Sequence, residues 1–214
     1  MRTWLYQYNT VSYCVQYDGA VAPAPQPGRP RDPEIDSRVL AVARAHLATR
    51  GYEAMSLAAV AAEAGTTRQA VYRRWPTKAD LATASIAAMS RAAERTPTDD
   101  PYADLVRELR AYAHGVGRPG GVSLVGTMLV DATDPQLVAL YRERIVLPRR
   151  AQLRAILERA RDGDLIAPDA DLETVLPMLT GAYYASALAG IAPGDDWAAR
   201  TAALAWRALG GEAR

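Results

Sequence analysis

Residues 53–81, EAMSLAAVAAEAGTTRQAVYRRWPTKADL, can satisfy their backbone most simply as two short helices joined by a tight turn. A third helix starts directly behind them. Ser56 is a favoured N-cap residue, and Leu57, Val60, Ala61 and Ala64 follow at helical spacing. Gly65 halts that helix by supplying a backbone conformation that other residues disfavour. Thr66 and Thr67 offer hydroxyl caps for a new helix from Arg68 to Trp75; Pro76 ends it and Thr77 caps the next. Two brief helices around a Gly turn form the helix-turn-helix pattern, whose second helix enters the DNA major groove. The same geometry also builds purely structural three-helix cores.

The side chains of the second helix suit a DNA-facing role. Thr67, Arg68 and Gln69 fall in its first turn, where a recognition helix meets base edges. Arg can grip guanine O6 and N7, and Gln can pair with adenine N6 and N7. Tyr72, Arg73, Arg74 and Lys78 suit phosphate contacts, which fix register without reading sequence. Ser56 and Thr66 complete the expected DNA-facing set. Ala70, Val71 and Trp75 are apolar and are expected to pack inward.

The segment 35–81 resembles the DNA-binding domain of the TetR family of bacterial transcriptional regulators. The resemblance rests on VLAVARAHLATRGY, ending in Gly51 and Tyr52; on Ser56, Val60-Ala61 and Ala64-Gly65; and on Val71-Tyr72, Arg73, Arg74, Trp75, Lys78 and Leu81. Three positions depart from the family pattern. Leu47 and Trp75 stand where Phe is usual, in a chain without Phe, and Arg74 stands where His is frequent. The segment 119–209, with LPRR at 147–150, DLIAPDAD at 164–171 and GAYYASALAG at 181–190, is similar to the C-terminal domain of one TetR subgroup.

Charge is distributed in line with that pattern. The net charge of the 214 residues is only +1, but residues 29–95 carry a balance of +4 and residues 96–214 a balance of −3. A basic front and an acidic back suit a DNA-reading head on a body that does not bind DNA. The single cysteine, Cys14, excludes an intramolecular disulfide framework and fits a cytoplasmic protein.

The chain is expected to be all-α in three parts: an extension over 1–33, a DNA-binding head over 34–80, and a ligand-binding and dimerisation body over 81–214. Residues 1–20 hold five of the fifteen aromatics in an alternating pattern that favours an extended strand. The stretch is too short and polar to span a membrane and lacks a signal-peptide core. The native start could lie further in. Residues 21–33 are Pro-rich, and Arg29 and Arg31 at their end could lie along DNA as a flexible arm or simply be solvated. In the body, helices are expected over 78–95, 102–116, 121–132, 134–162, 172–190 and 196–209, with Pro148 kinking or interrupting the long one.

Enzyme signatures are missing. There is no phosphate loop or dinucleotide fingerprint, and Gly121 to Gly126 is not a nucleophile elbow. His46 and His114 lack partners at metal-ligand spacing, so neither metal nor cofactor is expected. His46 is read as structural. His114 is read as a contact to its helix C-terminus, with cavity lining as the alternative. The acidic pairs Asp99-Asp100 and Asp195-Asp196 are read as caps.

Two tasks fall to the body. A single recognition helix covers few bases, and a symmetric dimer reads two half-sites roughly 34–36 Å apart. The expected interface is the last helix pair, with small residues Gly181, Ala182, Ala185, Ala199 and Ala203 and the larger Leu188, Leu204 and Trp206. The family resemblance implies a four-helix bundle across the two-fold and a small-molecule effector. Candidate lining residues are Met89, Leu105, Leu109, Tyr112, Val125, Met128, Tyr141, Ile145, Met178 and Tyr183. Such residues more often form plain core; as a set they suit a neutral or weakly acidic apolar ligand. The expected function is a dimeric repressor released from a palindromic operator by a small hydrophobic molecule. An activator, or a helical binding protein or enzyme with a non-functional head, is the alternative.

Overall fold

The computed structural model describes residues 33–91, 96–118 and 134–212, and every regular element among them is helical. Arg29, Arg31, Val125, Met128 and the side chain of Met89 fall outside the described residues, as do the N-terminal extension and the helix expected over 121–132. The head comprises α1 (Pro33–Ala54), α2 (Leu57–Glu63) and α3 (Arg68–Arg74). After it come α4 (Lys78–Arg91), α5 (Pro101–Val116), α6 (Pro135–Tyr141), a π-helical turn (Arg142–Val146), α7 (Leu147–Asp162), α8 (Leu172–Leu188) and α9 (Trp197–Ala208).

Capping sets many of these boundaries. Asp100 accepts from the backbone N–H of Tyr102 and Ala103, Asp134 from that of Gln136, and Asp171 from that of Thr174. Each satisfies donors that a helix start leaves open. Ser56 stands at the N-cap of α2, but its side chain makes no capping bond. Thr77 and Asp80 cap α4 reciprocally: Thr77 Oγ1 donates to the Asp80 carboxylate and accepts from the Asp80 N–H.

Two apolar cores form. The first joins Val39, Ala43 and Leu47 of α1 to Val60, Val71, Trp75 and Leu81, and it extends through Leu137, Tyr141 and Ile145. The expected boundary near residue 80 is therefore no break in packing, because α4, α6 and the π turn all share the head's core. The second core gathers Leu105, Leu109 and Tyr112 with residues of α7, α8 and α9.

At Pro148 the α-helical hydrogen bonding is interrupted, but the chain stays helical. A proline has no N–H to donate and its ring crowds the carbonyl four residues back. The chain widens instead: the Leu147 N–H bonds to the Arg142 carbonyl, five residues back, and Pro148 sits in the first turn of α7. The helix runs on from Pro135 to Asp162 through this π turn.

The outer face of α8 and α9 is apolar and uncovered. Leu188 is 82% exposed and Met178 61%, with Ile191 and Leu204 similarly open. Gly181, Ala182 and Ala185 are exposed alongside, and Ala199 and Ala203 are half-buried. Trp206 departs from expectation. Its indole is 1% exposed and packs edge-on against Tyr102, with ring centroids 5.2 Å apart, so it is core rather than an interface knob.

A buried ionic cluster pins the start of α5 to α7. Asp104, 1% exposed, accepts from the Thr98 N–H and hydroxyl and pairs with Arg107 and Arg159. Burial by itself would raise its pKa. The bonds from Arg159 and Thr98, with the Arg107 charge, outweigh burial and hold it below the usual carboxylate range. A depressed folded pKa stabilises above the unfolded value, and that stabilisation disappears as pH falls through the folded one. Asp104→Ala should cost about 2–3 kcal/mol at pH 7, at or below the usual cost of breaking a buried pair because both guanidiniums reach solvent. Urea titrations of both proteins should show the gap narrowing as pH falls below the ordinary carboxylate range; a gap independent of pH would contradict this.

Candidate nucleic-acid interface and cavity

The turn between α2 and α3 closes as the sequence requires. Gly65 adopts φ 66°, the Thr66 N–H bonds to the Ala61 carbonyl at 2.9 Å and the Gly65 N–H to that of Ala62 at 3.2 Å. This is the Schellman pattern, and only glycine adopts its left-handed residue without strain. Thr67 Oγ1 then accepts from the Ala70 N–H at 3.1 Å and starts α3. Val71 and Trp75 face the core, Ala70 is half-buried, and Thr67, Arg68, Gln69, Tyr72 and Arg73 face solvent, with Ser56 exposed nearby and Thr66 half-buried.

Two of these side chains are held before any partner arrives. The Arg68 guanidinium lies 5.1 Å from the Tyr72 ring centroid and donates to its hydroxyl at 3.3 Å. This one-turn pair orients the guanidinium outward from the first turn. Arg74 behaves differently from its neighbours: it pairs with Asp36 of α1 and donates to the Ala70 carbonyl, with little of its side chain exposed. The expected phosphate role gives way to a brace between α1 and α3. Lys78 lies 4.3 Å from the Tyr52 ring centroid and donates to the Glu53 carbonyl at 3.2 Å. His46, buried, bonds Glu63 across α1 and α2 at 2.8 Å, in keeping with a structural role. His114 is exposed and bonded to Arg118, and it is not among the described residues that line the cavity between α5 and α8.

Links outside the helix-turn-helix join the head to the body. Tyr52 donates to Asp134 at 2.8 Å. Burial and then that bond push the Tyr52 phenol above its ordinary pKa, while the same bond is the main cause holding Asp134 low. Arg144, in the π turn, donates to the Asp80 carboxylate at 2.8 Å and to Thr83 at 3.1 Å.

A cavity of about 420 Å³ opens between α5, the π-containing rod and α8. Tyr112, Tyr141 and Ile145 of the expected set line it. Leu105, Leu109 and Tyr183 are buried in the second core beside it without lining it. Met178 faces outward because α8 presents it on the uncovered face. Val138, Arg149, Leu176, Thr180 and Tyr184 are lining residues that the sequence reading missed; the motifs LPRR and GAYY contained two of them without indicating which way they point. Tyr112 donates to the Thr180 carbonyl at 3.1 Å, and the Tyr184 hydroxyl neighbours both Tyr112 and Tyr141. Burial is the main cause pushing both phenols above the ordinary tyrosine range, so they stay neutral at physiological pH. Among the described residues no cluster suits a metal ion, and no helix is long and apolar enough to cross a membrane.

The family model of bacterial regulatory proteins of the tetR family matches residues 39–84, and that of the tetracyclin repressor-like C-terminal domain matches residues 95–205. An HTH-type transcriptional regulator of Mycobacterium bovis is 31% identical over 159 residues, covering 73% of this chain and 76% of the relative. One from Bacillus subtilis is 25% identical, covering 73% and 80%. Among solved structures, the TetR family transcription regulator SCO0332 superposes with a TM-score of 0.64 at 29% identity, covering 82% of this chain and 98% of that one.

The geometry separates two adjacent arginines. Arg73→Ala should leave thermal stability unchanged and lower the salt slope of DNA binding by about one. Arg74→Ala should leave the slope and cost about 1.5 kcal/mol of folding stability, the low end for a charged hydrogen bond. Arg68→Ala should cost about 1–3 kcal/mol on the preferred site and relax base preference. Binding isotherms over a salt series, with melting curves, check all three; a lower slope for Arg74→Ala would return that residue to the DNA surface.

Proposed function

The chain belongs to the TetR family of bacterial transcriptional regulators, and from that premise we propose that it is a dimeric repressor. It binds a palindromic operator and is released by a small, largely apolar effector. Arg68 and Gln69 read bases; Thr67, Tyr72 and Arg73 position the helix on phosphates, with Ser56 and Thr66 at the edge of the contact. Lys78 serves as a phosphate contact once DNA draws it from Glu53.

One observation carries the effector part of this reading. Tyr141 and Ile145 both line the cavity and pack in the core of the head. Arg144, between them, is bonded to Asp80 at the start of α4, six positions after the recognition helix ends at Arg74 and two after Lys78. A ligand that moves the π turn therefore moves a surface on which the head rests. π-helical turns often mark functional positions. Packed contacts of this kind switch between discrete arrangements rather than deform smoothly.

Assembly is read from the uncovered face of α8 and α9. Leu188, Met178 and Leu204 with Gly181, Ala182 and Ala185 offer an apolar surface with small residues at its centre, suited to a two-fold helix bundle.

Two experiments test this reading. Ala185→Arg should give a folded monomer by sedimentation, since an unpaired charge in a dimer core costs about 3–5 kcal/mol; an intact dimer would place the interface elsewhere. DNA selected from a random pool identifies the operator, and a screen for compounds that release it identifies the effector. Arg144→Met should then keep operator affinity while weakening effector-driven release by about fivefold or more. Unchanged release would break the proposed link.

A further inference from the structure

Three tyrosine hydroxyls meet at the wall of the cavity, and their hydrogen bonds can run in only one direction. Tyr112, Tyr141 and Tyr184 all line it. The Tyr112 hydroxyl reaches the Thr180 carbonyl of α8 at 3.1 Å, and the Tyr184 hydroxyl bonds to those of both Tyr112 and Tyr141. Each of these contacts needs one proton, and each tyrosine supplies one. A carbonyl oxygen only accepts, so Tyr112 donates to Thr180. The Tyr112 oxygen is then left to accept from Tyr184, and the Tyr184 oxygen from Tyr141. Tyr141 heads the series: it gives a proton and receives none from the other two. Tyr112 and Tyr141 are buried, and burial is the main cause keeping their phenols protonated at physiological pH. Accepting the effector reading of this cavity, we infer that its ligand is an apolar alcohol or phenol. Its hydroxyl donates to the Tyr141 oxygen, and its apolar body lies along Val138, Ile145, Leu153 and Leu176.

The chemistry follows from the direction of the series. A hydroxyl that donates becomes a better acceptor, because each bond polarises the next. The Tyr141 oxygen, at the head of three bonds that end on a backbone carbonyl, is an acceptor oriented before any ligand arrives. A ketone, ester or ether brings only lone pairs and meets lone pairs there. To take the Tyr141 proton it must break the bond to Tyr184, so one hydrogen bond replaces another with no net gain. An alcohol or phenol adds a bond to the series instead of exchanging one. Its apolar part leaves water for the aliphatic wall at the same time.

The test uses the full-length protein and the fluorescent probe N-phenyl-1-naphthylamine, displaced by 1-octanol, its isomer 1-methoxyheptane, or octan-2-one. Octanol carries a donor; the other two carry an oxygen without one. Octanol should displace the probe at concentrations about fivefold below either, the worth of one net hydrogen bond. Tyr141→Phe keeps the ring and removes the acceptor, and it should bring octanol and 1-methoxyheptane within about twofold. Tyr112→Phe leaves Tyr141 in place but cuts the link to Thr180. Tyr184 is then free to donate to Tyr141, and Tyr141 to a ligand, so octan-2-one should come within about twofold of octanol. Packing damage alone would not exchange donor for acceptor preference, so this variant also covers a misfolded Tyr141→Phe. Octan-2-one or 1-methoxyheptane equal to or better than octanol on the unaltered protein would overturn the inference. So would a fivefold preference for octanol that survives in both variants. Val138→Trp fills the cavity and should remove probe binding. If it does not, the probe sits elsewhere and the cavity reading itself fails, an outcome distinct from loss of the hydroxyl preference alone.

Discussion

A proline inside a long helix is the constraint on which the rest of this structure turns. Pro148 cannot donate to the carbonyl of Arg144, and an ordinary α-helical turn would crowd its ring against that carbonyl. The turn Arg142–Val146 widens to a π-helix and takes up the misfit. One extra residue in a turn changes which side chains share a face. Tyr141 and Ile145 point to the cavity and the head core, while Arg144 reaches Asp80 and Thr83. A regular α-helix through Pro148 would have met that clash. It would not have placed a π turn where cavity and head core meet.

Polar pairs fasten the elements around that turn. The head is fastened internally by the Arg74–Asp36 and His46–Glu63 pairs, and the body by Asp104 with Arg107 and Arg159. These join elements within one core. The links from the three-helix head and α4 to α6 and the π turn are Tyr52 to Asp134 and Arg144 to Asp80, laid over the apolar packing of that same core.

Much of the head could be read from sequence because its signals are local. Gly65, Thr67 and Pro76 each act on backbone within a few residues, and the turn closes as their chemistry requires. The exposed set Arg68, Gln69, Tyr72 and Arg73 followed from helical spacing once Val71 and Trp75 were taken as inward. Arg74 escaped that reasoning because its partner, Asp36, lies on another helix. The cavity was harder for the same reason: Leu105, Leu109 and Tyr183 are as apolar as Ile145, and only packing between helices decides which of them meet open space. Trp206 and Met178 are the sharpest cases. Each lies on an apolar helix, and they exchanged expected places because the second core closes over the indole and leaves the thioether outside. Pro148 was visible, but the one-residue widening that accommodates it is a choice made by the fold around it.

The central claim is that occupancy of the cavity reaches the head through the π turn. Amide hydrogen exchange of the full-length protein, with and without a saturating compound from the operator-release screen, tests it most directly. The account predicts altered protection in 141–147 together with the start of α4 at 77–83, and a matching change at the Asp134 end of α6. Protection confined to the cavity walls of α7 and α8, with 77–83 unmoved, would contradict it.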